Sequence, residues 1–511
     1  MGSGTEIQKI YPLSPMQSGM LFHSIVDRDS HAYFEQMILK LQGELDLDKF
    51  TQSFQKLIER HDILRTIFVY EKVKKPLQIV LKERKAQVYF ETLVSLHPQE
   101  RTAKVERFIR EDKEKGFDIT ADLLMRISIL QTSQAEYTVV WSHHHILMDG
   151  WCMSLLLEDF FEIYQSLRSG SLVHLPPAPS YNRFIEWIGK QDEAQAASFW
   201  RSYVDDFSQM TPLVKASLPS SRAYEHSVHI CDIDVKLSRT LSEMAGTCNV
   251  TLNSVIQAAW GLLLQRYNYT QDAVFGSVVS GRPPELPDVE SIVGLFINTV
   301  PVRLTSDSDD TFARTVAAFQ ESILQTRSYD YYPLYEIQSD SSLKEGLFDH
   351  IIAFENFPVS AEVESKSNDK WLGFTVEAES ESFEQTNYDF NLIVIPGEHL
   401  RLKVLYNEEA IAVERVRQIL QHYIHILEQV AARPEMRLSE IEVATPTERQ
   451  QLAFDFNATE KEYSRNLCLH EPFERQAEQH PNRVALCMDG QEMTYGELNR
   501  RANQLAHHLQ H

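Results

Sequence analysis

The text with most capacity for chemistry is His144-His145-Ile146-Leu147-Met148-Asp149-Gly150. Imidazole is the side chain best suited to exchange a proton near neutral pH. Asp149, inside the turn, has two uses open to it. It could orient a histidine, as the third member of a nucleophile–base–orienter set does, or turn away and lock the loop by pairing with an arginine. Arg60 and Arg65 are the expected partners, because the first block must fold back on this segment. Gly150 permits a positive φ and leaves its N–H uncovered at a helix entrance, a natural donor to an oxyanion. Rival chemistries are weaker. His143 and His145 share a strand face and with Asp149 could ligate a metal, but no fourth ligand is evident, so no metal is expected. Cys152 at a helix N-terminus could have an activated thiol, although a small cysteine usually packs. A His-His pair and an Asp-Gly turn are also ordinary structural text. No G-x-S-x-G, P-loop or G-x-G-x-x-G occurs, so serine-hydrolase and nucleotide readings lack support.

These residues need a scaffold. The apolar β-type run Tyr137 to Trp141 precedes the histidines and a helical pattern, Met153 to Phe161, follows. A strand end followed by a turn is where rigid folds tend to present reactive groups. Successive strand residues point to opposite faces, so His144 and His145 should not share a job. Upstream, Asp46 or Asp48 can cap a helix carrying the stripe Phe50, Phe54, Leu57 and Ile58, and Leu64 to Tyr70 turns strand-like. Leu175-Pro176-Pro177-Ala178-Pro179 is a connector. The alternation then repeats: a strongly apolar helix over Thr251 to Tyr267 and strand candidates at 273–279 and 293–300. The pattern predicts an α/β (α+β sandwich) fold of two lobes, over 7–180 and 181–440, after an N-terminal tail, 1–6. A linker follows at 441–466, and residues 467–511 start a further unit too short to bury much surface.

Composition narrows the function classes. The 511 residues carry a net charge of −24 with no local basic cluster, which disfavours nucleic acid. No run of about 18 apolar residues occurs, so no membrane span is expected. Met1-Gly2-Ser3-Gly4-Thr5 reads as an appended tag rather than a signal peptide. Five cysteines (152, 231, 248, 468, 487) lack CxxC spacing, which fits a reducing cytoplasm. The acidic stretch Glu377 to Glu384 reads as a solvated face.

The ordered motifs are specific. They are Tyr11-Pro12-Leu13-Ser14-Pro15-Met16-Gln17 with Met20-Leu21-Phe22-His23; Arg60-His61-Asp62-Ile63-Leu64-Arg65; HHxxxDG at His144 to Gly150; Tyr181-Asn182-Arg183-Phe184; Val293-Gly294-Leu295-Phe296-Ile297-Asn298-Thr299; and Tyr332-Pro333-Leu334-Tyr335-Glu336. In this order they resemble the condensation domain of non-ribosomal peptide synthetases, from about Ile7 to 440, within the chloramphenicol acetyltransferase-like superfamily. Met493-Thr494-Tyr495-Gly496-Glu497-Leu498 resembles the opening motif of an adenylation domain, whose ATP and amino-acid sites would lie beyond His511.

The resemblance implies two chloramphenicol acetyltransferase-like lobes in a V-shaped pseudo-dimer with a central tunnel. It implies peptide-bond formation between an upstream, donor carrier's peptidyl or aminoacyl thioester and the amine of a downstream, acceptor carrier's aminoacyl thioester, in antibiotic biosynthesis. Phosphopantetheine arms of the partner carriers bring the substrates, no cofactor is bound by the domain itself, and the adenylation domain is a further partner. His145 carries over as the central histidine, a base or a positioning group, and Gly150 as an oxyanion donor. His144, Asp149, Arg60 and Arg65 are structural at the site, and Trp200 and Asn298 are tunnel or support positions. The last family motif usually holds an arginine; its counterpart here, Asn387-Tyr388-Asp389-Phe390-Asn391-Leu392, does not. The opening motif and Asp149-Gly150-Trp151-Cys152 look like the subtype that takes a D-configured donor. An epimerisation domain, which shares HHxxxDG, and a catalytically silent carrier-docking module are the alternatives.

Overall fold

Alternating apolar and polar side chains build the sheet that carries the histidines. In the computed structural model, which describes residues 6–26, 32–214, 224–355, 372–378, 383–462 and 466–511, strand Glu136–His144 is buried from Tyr137 onward. It lies between antiparallel neighbours Phe34–Gly43 and Met125–Gln131 in a five-stranded sheet. Val88–Thr92 and Phe374–Ala378 form the edges. Helix Leu47–Arg60 is capped by Asp46, which accepts from the Lys49 N–H, and buries the expected Phe50, Phe54, Leu57 and Ile58. Helix Gly150–Ser169 starts directly after the histidine turn and ends at Gly170 in the left-handed conformation, a position glycine suits.

A second, six-stranded sheet runs in the order Asn298–Thr305, Asp272–Val279, Ile351–Phe354, Phe390–Ile395, Arg401–Asn407 and His226–Asp232. Its three central strands are parallel and the rest antiparallel. Helix Leu252–Asn268, capped by Thr251, is buried continuously from Ser254 to Gln265, as an all-round apolar helix must be. Both halves are mixed α/β, the expected class.

Two expectations need correcting. Residues 293–297 are irregular and the strand begins at Asn298. There the Phe296 N–H leaves the ladder for the Asp149 side chain, and Ile292, Val293, Leu295 and Phe296 pack into the first core. For the same reason a cut at 180/181 does not separate the cores. The first core takes Leu286 to Phe296 and Leu372 to Phe374 from later in the chain.

The chain divides into two units, Met1–Thr445 and Pro446–His511. In the second unit a hairpin, Val484–Met488 with Gln491–Thr494, leads into helix Tyr495–Gln510, whose Thr494 and Glu497 form a capping box. Ala477 is its buried apolar residue among those described, while Leu486, Met488, Leu505 and Leu509 are exposed. Residues 1–5 of the expected tail, 379–382 of the acidic stretch and 463–465 of the expected linker lie outside the described residues.

Candidate active site

The three consecutive histidines have three environments. His144 is buried, and its Nδ1 accepts the Ile146 N–H at 3.1 Å. Burial first, then the neighbouring His145 and His143, push its pKa down to about 3, so it is a neutral structural ring. His143 and His145 turn to the other face, as strand alternation requires. Both reach Glu35 on the adjoining strand: His143 Nε2 lies 2.7 Å and His145 Nε2 3.2 Å from its two carboxylate oxygens. His145 Nδ1 is 2.7 Å from the Met148 carbonyl, an acceptor, which fixes a proton on Nδ1. Burial alone would depress the His145 pKa, but Glu35, Glu384, the Met148 carbonyl and Asp149 outweigh it and raise it. Burial would raise Glu35, and the three imidazoles outweigh that and hold it low. Both shifts favour the charged forms, an imidazolium beside a carboxylate.

His145 is only 7 % exposed, yet it lines a cavity of about 1400 Å³. The walls come from both sheets: Glu35, His143 and Gly150 on one side, Val278, Ile351, Asn391 and Lys403 on the other. Gly150 opens the helix and faces this space, but its φ is not positive. Its use is an uncovered helix N-terminus, not backbone freedom.

Asp149 is paired, but neither with Arg60 nor with Arg65. Its Oδ1 lies 3.1 Å from Arg282 Nη2 and its Oδ2 accepts the Phe296 N–H at 2.9 Å. Arg282 also donates to the Val289 and Ile292 carbonyls and stacks on Phe296 at 4.1 Å. Arg60 is taken by Asp159 at 2.7 Å, and Arg65 by Asp62 at 2.9 Å and the Leu81 carbonyl. Arg60 ends helix Leu47–Arg60 and Arg65 ends the short turn after it, Asp62–Arg65, and these acids and carbonyls leave neither guanidinium for Asp149. Arg282 lies 133 residues from Asp149 in the chain, so no local spacing announces it. Its faint signal is Gly281, whose φ is +59° and where a Cβ would collide with the Phe296 carbonyl oxygen.

The remaining sequence candidates sort by position. The Asn298 side-chain amide donates to the Asp330 and Tyr332 carbonyls at the cavity wall. Trp200 is buried in a separate core, donating to the Tyr329 carbonyl, and does not line the cavity. The Cys152 thiol is pushed up to about 12 by burial and then by Asp149, so it is no nucleophile; it fills the space beside Asp149 and Arg282. His143, His145 and Asp149 do not converge as metal ligands, since Asp149 faces Arg282. Among the described residues, Glu35, His145 and Glu384 do come together, one nitrogen or carboxylate oxygen of each lying within 4.8 Å of the others. Glu384 thus corrects the reading of Glu377 to Glu384 as a solvated face: the end of that stretch enters the cavity. Strand pairing puts it there, Phe383 exchanging backbone hydrogen bonds with Gln36 and the Gln385 carbonyl accepting from Tyr33. Glu35 stands alone among Phe34, Gln36 and Met37, text that reads as the solvated face of a strand, so the sequence held no signal for it.

Known proteins match the chain in sequence and in fold. A family model described as the condensation domain matches residues 7–453, and one described as AMP-binding enzyme matches 473–511. The chain is 41 % identical over 504 residues to a linear gramicidin synthase of Brevibacillus parabrevis, covering 99 % of this chain and 10 % of that one. It is 42 % identical over 517 residues to a plipastatin synthase of Bacillus subtilis (strain 168), covering 100 % and 20 %. The chain thus spans only a tenth to a fifth of the length of these relatives. Among solved structures, a four-domain nonribosomal peptide synthetase bound to AMP and glycine has a TM-score of 0.77 at 18 % identity, over 100 % of this chain and 39 % of that one. The first condensation domain of the calcium-dependent antibiotic synthetase, with a substrate analogue, has a TM-score of 0.69 at 16 % identity, over 86 % and 100 %. At such identities the likeness is one of fold.

Proposed function

The chain belongs to the condensation-domain family, the amide-forming acyltransferases of non-ribosomal peptide synthetases, and continues into the start of an AMP-binding domain; from that premise we propose that it joins two carrier-bound thioesters. The donor is a peptidyl or aminoacyl group on the phosphopantetheine arm of an upstream carrier. The acceptor is an aminoacyl thioester on a downstream carrier, whose amine attacks the donor carbonyl. The observation that carries this reading is His145, at the wall of a cavity of about 1400 Å³ framed by both sheets, where two slender arms can meet.

A thioester is already activated, so the larger task is to bring the two ends together. Holding them in register can supply roughly 7–11 kcal/mol of the barrier. His145, kept charged by Glu35, offers Nε2–H to the oxyanion or to the departing sulfur, and the helix N-terminus at Gly150 adds a backbone donor. Asp149 and Arg282 do not face the substrates. They clamp the histidine turn to the 282–296 segment and so fix where His145 points.

The opening motif and the Asp149 to Cys152 text support a donor ending in a D-residue. Matched D- and L-terminal donor thioesters, offered with one loaded acceptor carrier in deuterated solvent, test both points. A dipeptidyl thioester formed faster from the D-donor is the expected outcome. Product formed equally from both would remove the stereochemical assignment. Deuterium entering the donor Cα without any product would replace condensation by epimerisation, and carrier binding alone would leave a docking module.

A further inference from the structure

The cavity holds one more group placed for this chemistry. His145 Nδ1–H is spent on the Met148 carbonyl and its Nε2 stands 3.2 Å from Glu35; a ring protonated at both nitrogens has no lone pair to take a proton from an incoming ammonium. Glu35 is itself taken up by two imidazoles. Glu384 completes the trio within 4.8 Å and lines the same cavity. Its backbone is pinned beside Tyr33 and Gln36, so the carboxylate is delivered by strand pairing and not by a free tail. The groups facing it are Glu35 and His143 on the first sheet and His145 in the turn after it, and Lys403 on the second sheet and Glu355 just past Phe354. One residue back, Phe383 is flanked by Lys113 and His226.

We propose that Glu384 is a catalytic residue: it seats the acceptor's α-ammonium and takes its first proton, while His145 acts as the charged donor. The proposal rests on the condensation reading above. The ammonium N–H bond breaks toward a Glu384 oxygen, and the freed lone pair forms the C–N bond at the donor carbonyl. The C–S bond of the tetrahedral adduct then breaks, and its electron pair leaves on sulfur. The nitrogen's second surplus proton goes to that thiolate, and Glu384 returns the first to solvent. Burial, then the charge of Glu35, raise the basicity of Glu384, which suits a proton acceptor better than an ordinary surface carboxylate does.

The test compares two acceptors on the same carrier, the best-accepted α-aminoacyl group and its α-aminooxy counterpart, whose nitrogen is already unprotonated at neutral pH. With the α-amine, Glu384→Gln should lose on the order of 10²-fold in rate. Its acid limb should also move up toward the amine's own range of roughly 7.7–8.0. The aminooxy rate should stay within about 2-fold, since general-base help has nothing to remove there. Glu384→Asp should keep the wild-type acid limb. Should the Gln variant not fold, the wild-type protein decides: an acid limb below the ammonium range with the α-amine, absent with the aminooxy acceptor, is required. Equal losses with both acceptors, or an unmoved limb, overturn the proposal. So does wild-type activity that a chelator abolishes and zinc restores, which would give the trio to a metal. A wild-type protein inactive with every acceptor would instead remove the condensation reading itself.

Discussion

At the scale of single residues, the site is a set of imidazoles told apart by what each nitrogen touches. His144 gives its lone pair to a backbone N–H and is held neutral; His145 touches two acceptors and is held charged. Nitrogen NMR at neutral pH should therefore report an imidazolium at 145 and a neutral ring at 144. Glu35→Gln should lower the His145 titration, because the largest favourable charge is gone. The sign for stability follows from linkage. A histidine whose folded pKa is raised contributes stability fully present below its unfolded value, near 6.5, and that contribution fades as pH rises through the folded value. Cys152 makes the opposite case. With its thiol raised to about 12, neutral alkylation should label the exposed Cys468 and Cys487 and spare it, and Cys152→Ala should keep activity. The histidine text and the opposite duties of 144 and 145 could be read from strand alternation. Glu35 and Glu384 could not, because a lone Glu in an apolar strand and the last Glu of an acidic run look like solvated surface until a sheet turns them inward.

Elements decide whether those residues meet. Strand Glu136–His144 delivers the histidines, and helix Gly150–Ser169 opens beside them. The clamp between them and the later segment is the buried Asp149–Arg282 pair, both groups under a tenth exposed. Removing one member strands the other, so Asp149→Ala or Arg282→Met should cost about 3–5 kcal/mol in urea unfolding. Arg60→Met should leave the cavity's chemistry unchanged, since Arg60 serves Asp159. Gly281→Ala should also destabilise, by about 1–3 kcal/mol, because a Cβ there meets the Phe296 carbonyl. The helix over Leu47–Arg60, its Asp46 cap and its buried stripe were legible, since periodicity and capping are local. The strand expected at 293–300 was legible only in part. Its first half looks β-like in composition, yet its backbone serves Asp149 and its side chains fill the other core.

At the scale of the whole chain, a large unit, Met1–Thr445, is followed by the Pro446–His511 unit. The two-lobe α/β class was legible, because helices interleaved with strands recur along the sequence. What composition could not supply was the exchange between lobes. Residues 286–296 and 372–374 cross into the first core, while His145 lines a cavity shared by the two halves. Its wall is drawn from both sheets, so two tethered substrates can reach one imidazole. The measurement that tests this most directly is single-turnover formation of dipeptidyl thioester from donor-loaded and acceptor-loaded carriers, followed by mass for the wild-type chain and for His145→Ala at matched folded concentration. Product is expected from the wild type, with a loss on the order of 10²-fold or more in the variant. A variant that forms product at the wild-type rate would contradict the role given to His145.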